Sequence, residues 1–190
     1  MAVRLIIGLG NPGSQYARTR HNAGFWFLDA LVSDYDCEFR SEKKYHGDVA
    51  RCFLGQQDCR LLKPSTFMNR SGQAAIALVN FYQIDMDEIL VAHDELDLPP
   101  GVAKLKRGGG HGGHNGLRDL ISHFGSKDFL RLRLGIGHPG DKKLVSDYVL
   151  KAASKADHQL IDDAIYEATR VTPGVVNGQL EEAMHQLHSR

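Results

Sequence analysis

Apolar positions along the chain repeat in two rhythms. Residues 3–9 form an apolar run, broken only by Arg4, which glycine and proline then stop, the pattern of a buried central strand. Phe25, Leu28, Leu31 and Val32 recur at helical spacing, and so do Ala74, Ala75, Leu78 and Val79, then Leu117, Leu120, Ile121 and Phe124. Each set predicts an amphipathic helix. Between them, strands are predicted over 49–54, 59–63, 89–93, 102–107 and 130–136. Ser154, three residues before Asp157, is placed to cap a helix whose face is Leu160, Ile161, Ala164, Ile165 and Ala168. Thr172-Pro173-Gly174 is expected to break it, and Leu180, Ala183, Met184 and Leu187 outline a last helix. Strands alternating with helices predict an α/β sandwich, and with no repeat or long linker residues 1–190 read as a single domain.

Composition narrows the class. A chain of 190 residues can bury about 70% of its unfolded surface, so it needs no metal or disulfide staple. No run of eighteen apolar residues occurs, and the start lacks a charged head with a cleavage site, so a soluble, unexported protein is expected. Cys37, Cys52 and Cys59 are odd in number and contain no Cys-x-x-Cys pair, which predicts reduced thiols in a cytosol.

Twenty-three basic and twenty-three acidic side chains cancel, yet they are unevenly placed. Residues 104–143 carry nine basic and three acidic groups, a local +6, between flanks of −3 each. Successive strand residues point to opposite faces, so Lys104 and Lys106 share one face and Arg131 and Arg133 share another, with leucines between. Such rows can meet phosphates while the leucines bury.

Five motifs carry chemistry. Gly8-Leu9-Gly10-Asn11-Pro12-Gly13 fits G-x-G-x-x-G after a strand, but the periodic helix waits until about Ala23 and no acidic residue ends a second strand about twenty positions on. A loop presenting Asn11 at a strand's carboxyl end fits better than a dinucleotide site. His21, just before the first helix, reaches the same crevice, and as a general base it needs a carboxylate to fix its tautomer. Asp94, at the end of the apolar strand 89–93, is the expected partner, ahead of Glu95 and Asp97 further along the loop. Asn69 either caps the following helix, as Ser71 also could, or offers its amide to an oxyanion and a water, beside Phe67 and Met68. Residues 108–116 are too glycine-rich for core; Asn115 is placed to cap the next helix, and His111 with His114 makes a weak zinc pattern that nothing completes.

Taken in order and spacing, Gly8 to Gly13, Thr19-Arg20-His21-Asn22-Ala23-Gly24, Thr66-Phe67-Met68-Asn69, His93-Asp94-Glu95-Leu96-Asp97, Gly112-Gly113-His114-Asn115-Gly116-Leu117 and Gly135-Ile136-Gly137-His138-Pro139 resemble the bacterial peptidyl-tRNA hydrolase family. The resemblance covers about residues 3–140. It implies a three-layer α/β/α sandwich around a twisted mixed, mostly parallel sheet. It also implies a monomeric cytoplasmic esterase without cofactor or metal, acting on peptidyl-tRNA. His21 matches the family's base and Asp94 its partner, with Asn11, Asn69 and Asn115 around the substrate. Tyr16, Phe67, Met68 and His114 match positions lining the cleft for peptide and terminal adenosine. Lys104, Lys106, Arg107 and Arg133 are expected to hold acceptor-stem phosphates. Three other classes compete: an RNA-binding module without catalysis, a nucleotide-dependent oxidoreductase resting on the glycines alone, and a serine hydrolase, against which no Gly-x-Ser-x-Gly elbow occurs.

Overall fold

The computed structural model describes residues 2–189. Its strands are β1 (Leu5–Gly8), β2 (Arg40–Glu42), β3 (Gly47–Leu54), β4 (Gln57–Pro64), β5 (Ile89–Glu95), β6 (Ala103–Arg107) and β7 (Leu130–Gly135). They form one sheet in the order β2-β3-β4-β1-β5-β7-β6. The central β4, β1, β5 and β7 are parallel, and the pairs β2–β3, β3–β4 and β6–β7 are antiparallel, so five of seven strands run one way. The helices are α1 (Ala23–Asp34), α2 (Ser71–Tyr82), α3 (Asn115–Phe124), α4 (Val145–Val149), α5 (Lys155–Val176) and α6 (Leu180–His188).

Strand alternation divides the core between two faces. Leu5, Ile7, Ile89 and Val91 pack with Ala74, Ala75 and Leu78 of α2 and Leu117 and Leu120 of α3. Ile6, Leu90, Ala92, Leu132 and Leu134 pack on the opposite side with Phe27 and Leu28 of α1, Ile161 and Ile165 of α5, and Leu187 of α6. On β7 and β6 the residues alternating with that second set are Arg131, Arg133, Lys104 and Lys106. The predicted amphipathic α/β sandwich is therefore the one that forms, with a basic row where the other strands carry leucine and valine.

Three local expectations are corrected. The helix α5 does not break at Thr172-Pro173-Gly174 but continues to Val176. Proline removes the bond to the carbonyl four residues back, here that of Thr169, and the Tyr35 hydroxyl donates to that oxygen at 3.3 Å. Asn115 does not cap α3; the His114 side chain does, accepting from the Gly116 and Leu117 amides. Cys37 and Cys52 form a disulfide, and the buried Cys59 is free. Both bonded cysteines belong to the α1–α5 side of the core, a tertiary proximity that their sequence spacing does not encode. Among the described residues no helix is long and apolar enough to cross a membrane.

Candidate active site

The chain leaves β1 and β5 in different directions at their carboxyl ends, and the crevice opens where their pairing stops. The Leu9 amide still donates to the Ala92 carbonyl at 3.1 Å. Two residues on, the Asn11 amide donates instead to Asn22 Oδ1 at 2.8 Å, while Asn22 Nδ2 returns a bond to the Asn11 carbonyl at 3.0 Å. The glycine-rich stretch thus turns away from the sheet and does not open directly into a helix.

A one-turn helix, Arg20–Asn22, carries His21 and leads into α1. Any side chain at Gly24 would collide with the Ala92 carbonyl and the Leu9 backbone, so glycine there lets α1 start hard against the strand ends. That closeness brings His21 to Asp94. Nδ1 of His21 lies 2.9 Å from Asp94 Oδ2, and Nε2 of His114 lies 2.8 Å from Oδ1. Asp94 is 4% exposed. An ionised carboxylate only accepts, so both ring nitrogens donate, and His21 is left with the lone pair on Nε2. His114 has no such freedom: its Nδ1 accepts from the α3 amides at 3.1 and 3.3 Å, which fixes it as the neutral Nε2–H tautomer.

Burial by itself would lower the His21 pKa, but the Asp94 charge and hydrogen bond outweigh it and hold the imidazole above its ordinary value. Burial would raise that of Asp94, and the His21 charge together with the bonds from His114 and His21 instead keep it ionised, well below the usual carboxylate range. Glu95 and Asp97 do not compete for His21. Glu95 accepts from Arg133 Nε at 2.9 Å and from the Asp97 amide at 3.3 Å.

His21 borders a cleft of about 990 Å³. Asn11, Asn69 and Asn115 line it together with Tyr16, Phe67, Met68 and His114, so every predicted residue of the chemical end meets in one groove. Asn11 Oδ1 accepts the Met68 amide at 2.7 Å, which fixes that side chain and leaves Nδ2 as its donor. Asn69 does not cap α2, whose Ser71 hydroxyl donates to the Met68 carbonyl at 2.7 Å. Asn69 is exposed, and Tyr16 and Phe67 meet edge to face at 6.2 Å.

The basic end is less complete. Lys106 and Arg133 line the cleft, whereas Lys104 and Arg107 stand on β6 outside its lining. Arg131 is buried, and its guanidinium holds the carbonyls of Gly109, Gly110 and Lys127, so it tethers the glycine loop. Nothing in the strand alternation separates that role from the role of Arg133. Sequence reasoning also missed Lys142, a cleft residue visible only as one of the nine local cations, and Arg20. The Arg20 guanidinium stacks 3.8 Å from the Tyr148 ring and donates to the Tyr148 carbonyl at 2.8 Å, tying α4 to the segment that carries His21.

His21, Asp94 and His114 also bring three possible metal-ligand atoms within 4.8 Å of one another. A cation there would need Nε2 of His114 stripped of its proton while Nδ1 serves the α3 amides, which means either an imidazolate or loss of the cap. The donor set orients a base better than it holds a metal.

A buried carboxylate that aims an imidazole lone pair into a groove edged by amides and cations, on a doubly covered mixed sheet, is the outline of a hydrolytic α/β enzyme. Comparison with known proteins gives that class a family. The family model described as peptidyl-tRNA hydrolase matches residues 5–190, and the chain belongs to that family. It is 54% identical over 188 residues to a peptidyl-tRNA hydrolase of Neisseria gonorrhoeae, covering 99% of this chain and 98% of that one. It is 56% identical over 190 residues to one of Pseudomonas putida, covering 100% and 98%. A crystal structure of peptidyl-tRNA hydrolase from Acinetobacter baumannii superposes with a TM-score of 0.95 at 51% identity, covering 97% of this chain and 94% of that chain.

Proposed function

We propose that this chain hydrolyses the ester joining a peptide to the terminal ribose of tRNA, with water as nucleophile. The observation that carries the reading is the His21–Asp94 pair at 2.9 Å at the wall of the cleft. Nε2 of His21 takes a proton from water as it attacks the ester carbonyl, and Asp94 stabilises the imidazolium that forms. The proton then passes to the departing ribose oxygen. Asn69, exposed in the groove, positions the water and donates to the tetrahedral oxyanion. Asn11, whose oxygen is already occupied, meets the peptide through its amide nitrogen, which suits a peptide carbonyl next to the ester. Asn115, Tyr16, Phe67, Met68 and His114 hold the peptide and the terminal adenosine.

Lys106 and Arg133, with Lys104 and Arg107 beside them, meet acceptor-stem phosphates. Arg133 arrives pre-set by Glu95, and the lysines are the long flexible arms. A-form helices are recognised by shape and backbone, so no base reading is needed. The enzyme is further read as a cytoplasmic monomer that needs no metal. The test is release of N-acetyl amino acid from acetyl-aminoacyl-tRNA by the parent and by His21→Ala, with chelator alongside. Loss in the variant and indifference to chelator are expected; undiminished turnover by the variant overturns the reading. Equal cleavage of acetylated and free aminoacyl-tRNA by the parent removes the role given to Asn11.

A further inference from the structure

His93 lies beside the dyad and has no part in the mechanism above. It is 3% exposed and lines the cleft's inner wall. Its Nδ1 donates to the Asp94 backbone carbonyl at 2.9 Å, and its Nε2 is buried with no hydrogen-bond partner among the described residues. The reason for that bond lies in the sheet. Along β5, the carbonyls of Ala92 and Asp94 point toward β1, and those of His93 and Glu95 point toward β7, where the Ile136 amide takes the Glu95 oxygen at 3.0 Å. Leu9 serves Ala92, so the Asn11 amide would be next in line for Asp94. It is spent on Asn22 instead, and β1 has already left the sheet. A carbonyl in that position, deep in the crevice wall, needs a donor from elsewhere. The His93 imidazole supplies it.

We infer that His93 is a positioning residue which replaces the missing strand partner of β5, and that it fixes the backbone from which the Asp94 carboxylate reaches His21. The inference rests on the dyad reading above. The carbonyl only accepts, so the bonded His93 carries its proton on Nδ1, and protonation of Nε2 would place a charge with no acceptor in a buried site. Burial above all pushes the His93 pKa down to about 4, so the ring is neutral wherever the dyad works. The charged or titratable groups facing it are Asp94 and Glu95 on its own strand, Arg133 at the paired position of β7, whose guanidinium is held by Glu95, and His114 from the loop before α3, whose ring meets that of His93 edge to face at 5.3 Å. A neutral ring adds no positive charge beside Asp94 and leaves His21 as the site of the mobile proton.

Two substitutions separate this from a packing role. His93→Asn presents an amide N–H close to where Nδ1 stands, and His93→Leu fills similar space without a donor. Rates with acetyl-aminoacyl-tRNA across pH, melting temperature and the His21 pKa by NMR are measured for both, with parent and His21→Ala alongside. Misplacing a catalytic group by about 1 Å costs up to ~10²-fold in rate. His93→Leu is therefore expected to lose roughly ten- to a hundredfold in kcat with KM nearly unchanged, and its His21 pKa is expected to fall as Asp94 loosens its hold. His93→Asn is expected to stay within a few-fold and to keep the parent acid limb.

Parent-like kcat in folded His93→Leu overturns the inference, and so do equal losses in both variants. Should the leucine protein fail to fold, the asparagine protein decides alone: folded but crippled, it overturns the inference, and parent-like in rate and acid limb it upholds it. Activity surviving in His21→Ala points instead to failure of the dyad reading itself.

Discussion

The two ends of the cleft are built differently. At the dyad end, the groups around the base hold one another: Asp94 is held by two imidazoles, His114 by the α3 amides, Asn11 by the Met68 amide, and His21 by Asp94. At the basic end, Lys106 and Arg107 are exposed strand side chains, Arg133 is held by Glu95, and Arg131 is taken up by the glycine loop. Bond-making requires groups placed to within fractions of an ångström, while phosphate attraction acts over several ångströms and tolerates motion. The first end should therefore govern kcat and the second KM.

Substitutions sharpen or break that division. The largest effect is expected for His21→Ala, a loss of about 10²–10⁴-fold in kcat, the usual worth of a general base. Asp94→Asn comes next, with a large fall in kcat, and it carries a pH signature. His21 must be deprotonated to act, and its pKa is raised by the Asp94 charge and hydrogen bond against burial. Parent activity therefore falls as pH drops through that raised value. Without the carboxylate, burial prevails and the acid limb should move to lower pH; an unmoved limb would detach Asp94 from His21.

Smaller changes test the other end. In Lys106→Ala, Arg133→Ala, KM should rise about tenfold with kcat nearly intact. The slope of log(kcat/KM) against log[salt] should also flatten, by somewhat under one for each phosphate no longer neutralised. A fall confined to kcat would erase the division. The smallest is a stability effect: His114→Ala removes the α3 cap and should cost about 1 kcal/mol in urea unfolding, besides its effect on Asp94. Unchanged stability would mean that the α3 amides find another acceptor.

Much of this layout was legible because periodicity and end signals agree. Ala74, Ala75, Leu78 and Val79 are all buried on α2, and Ser154 does cap α5 by accepting the Asp157 amide. The crevice was legible from where His21 and Asp94 stand relative to strand ends. What escaped depends on tertiary neighbours. The edge strand Arg40–Glu42 has no apolar residue to announce it and forms by pairing with β3. Pro173 reads as a stop until Tyr35 is known to serve the freed carbonyl. Arg131 and Arg133 have the same sequence signature, and only the glycine loop folding back onto one of them gives it a structural task. His93 belongs to the same group, since its partner exists only because β1 turns away early.

The central claim is that Asp94 orients and charges His21 as the base for water. The most direct measurement is the pH dependence of kcat/KM for acetyl-aminoacyl-tRNA, set beside the NMR titration of His21 in the parent and in Asp94→Asn. The account predicts that the acid limb and the His21 titration coincide in the parent and move together to lower pH in the variant. A limb that stays in place while the His21 titration moves would show that another group carries the reaction.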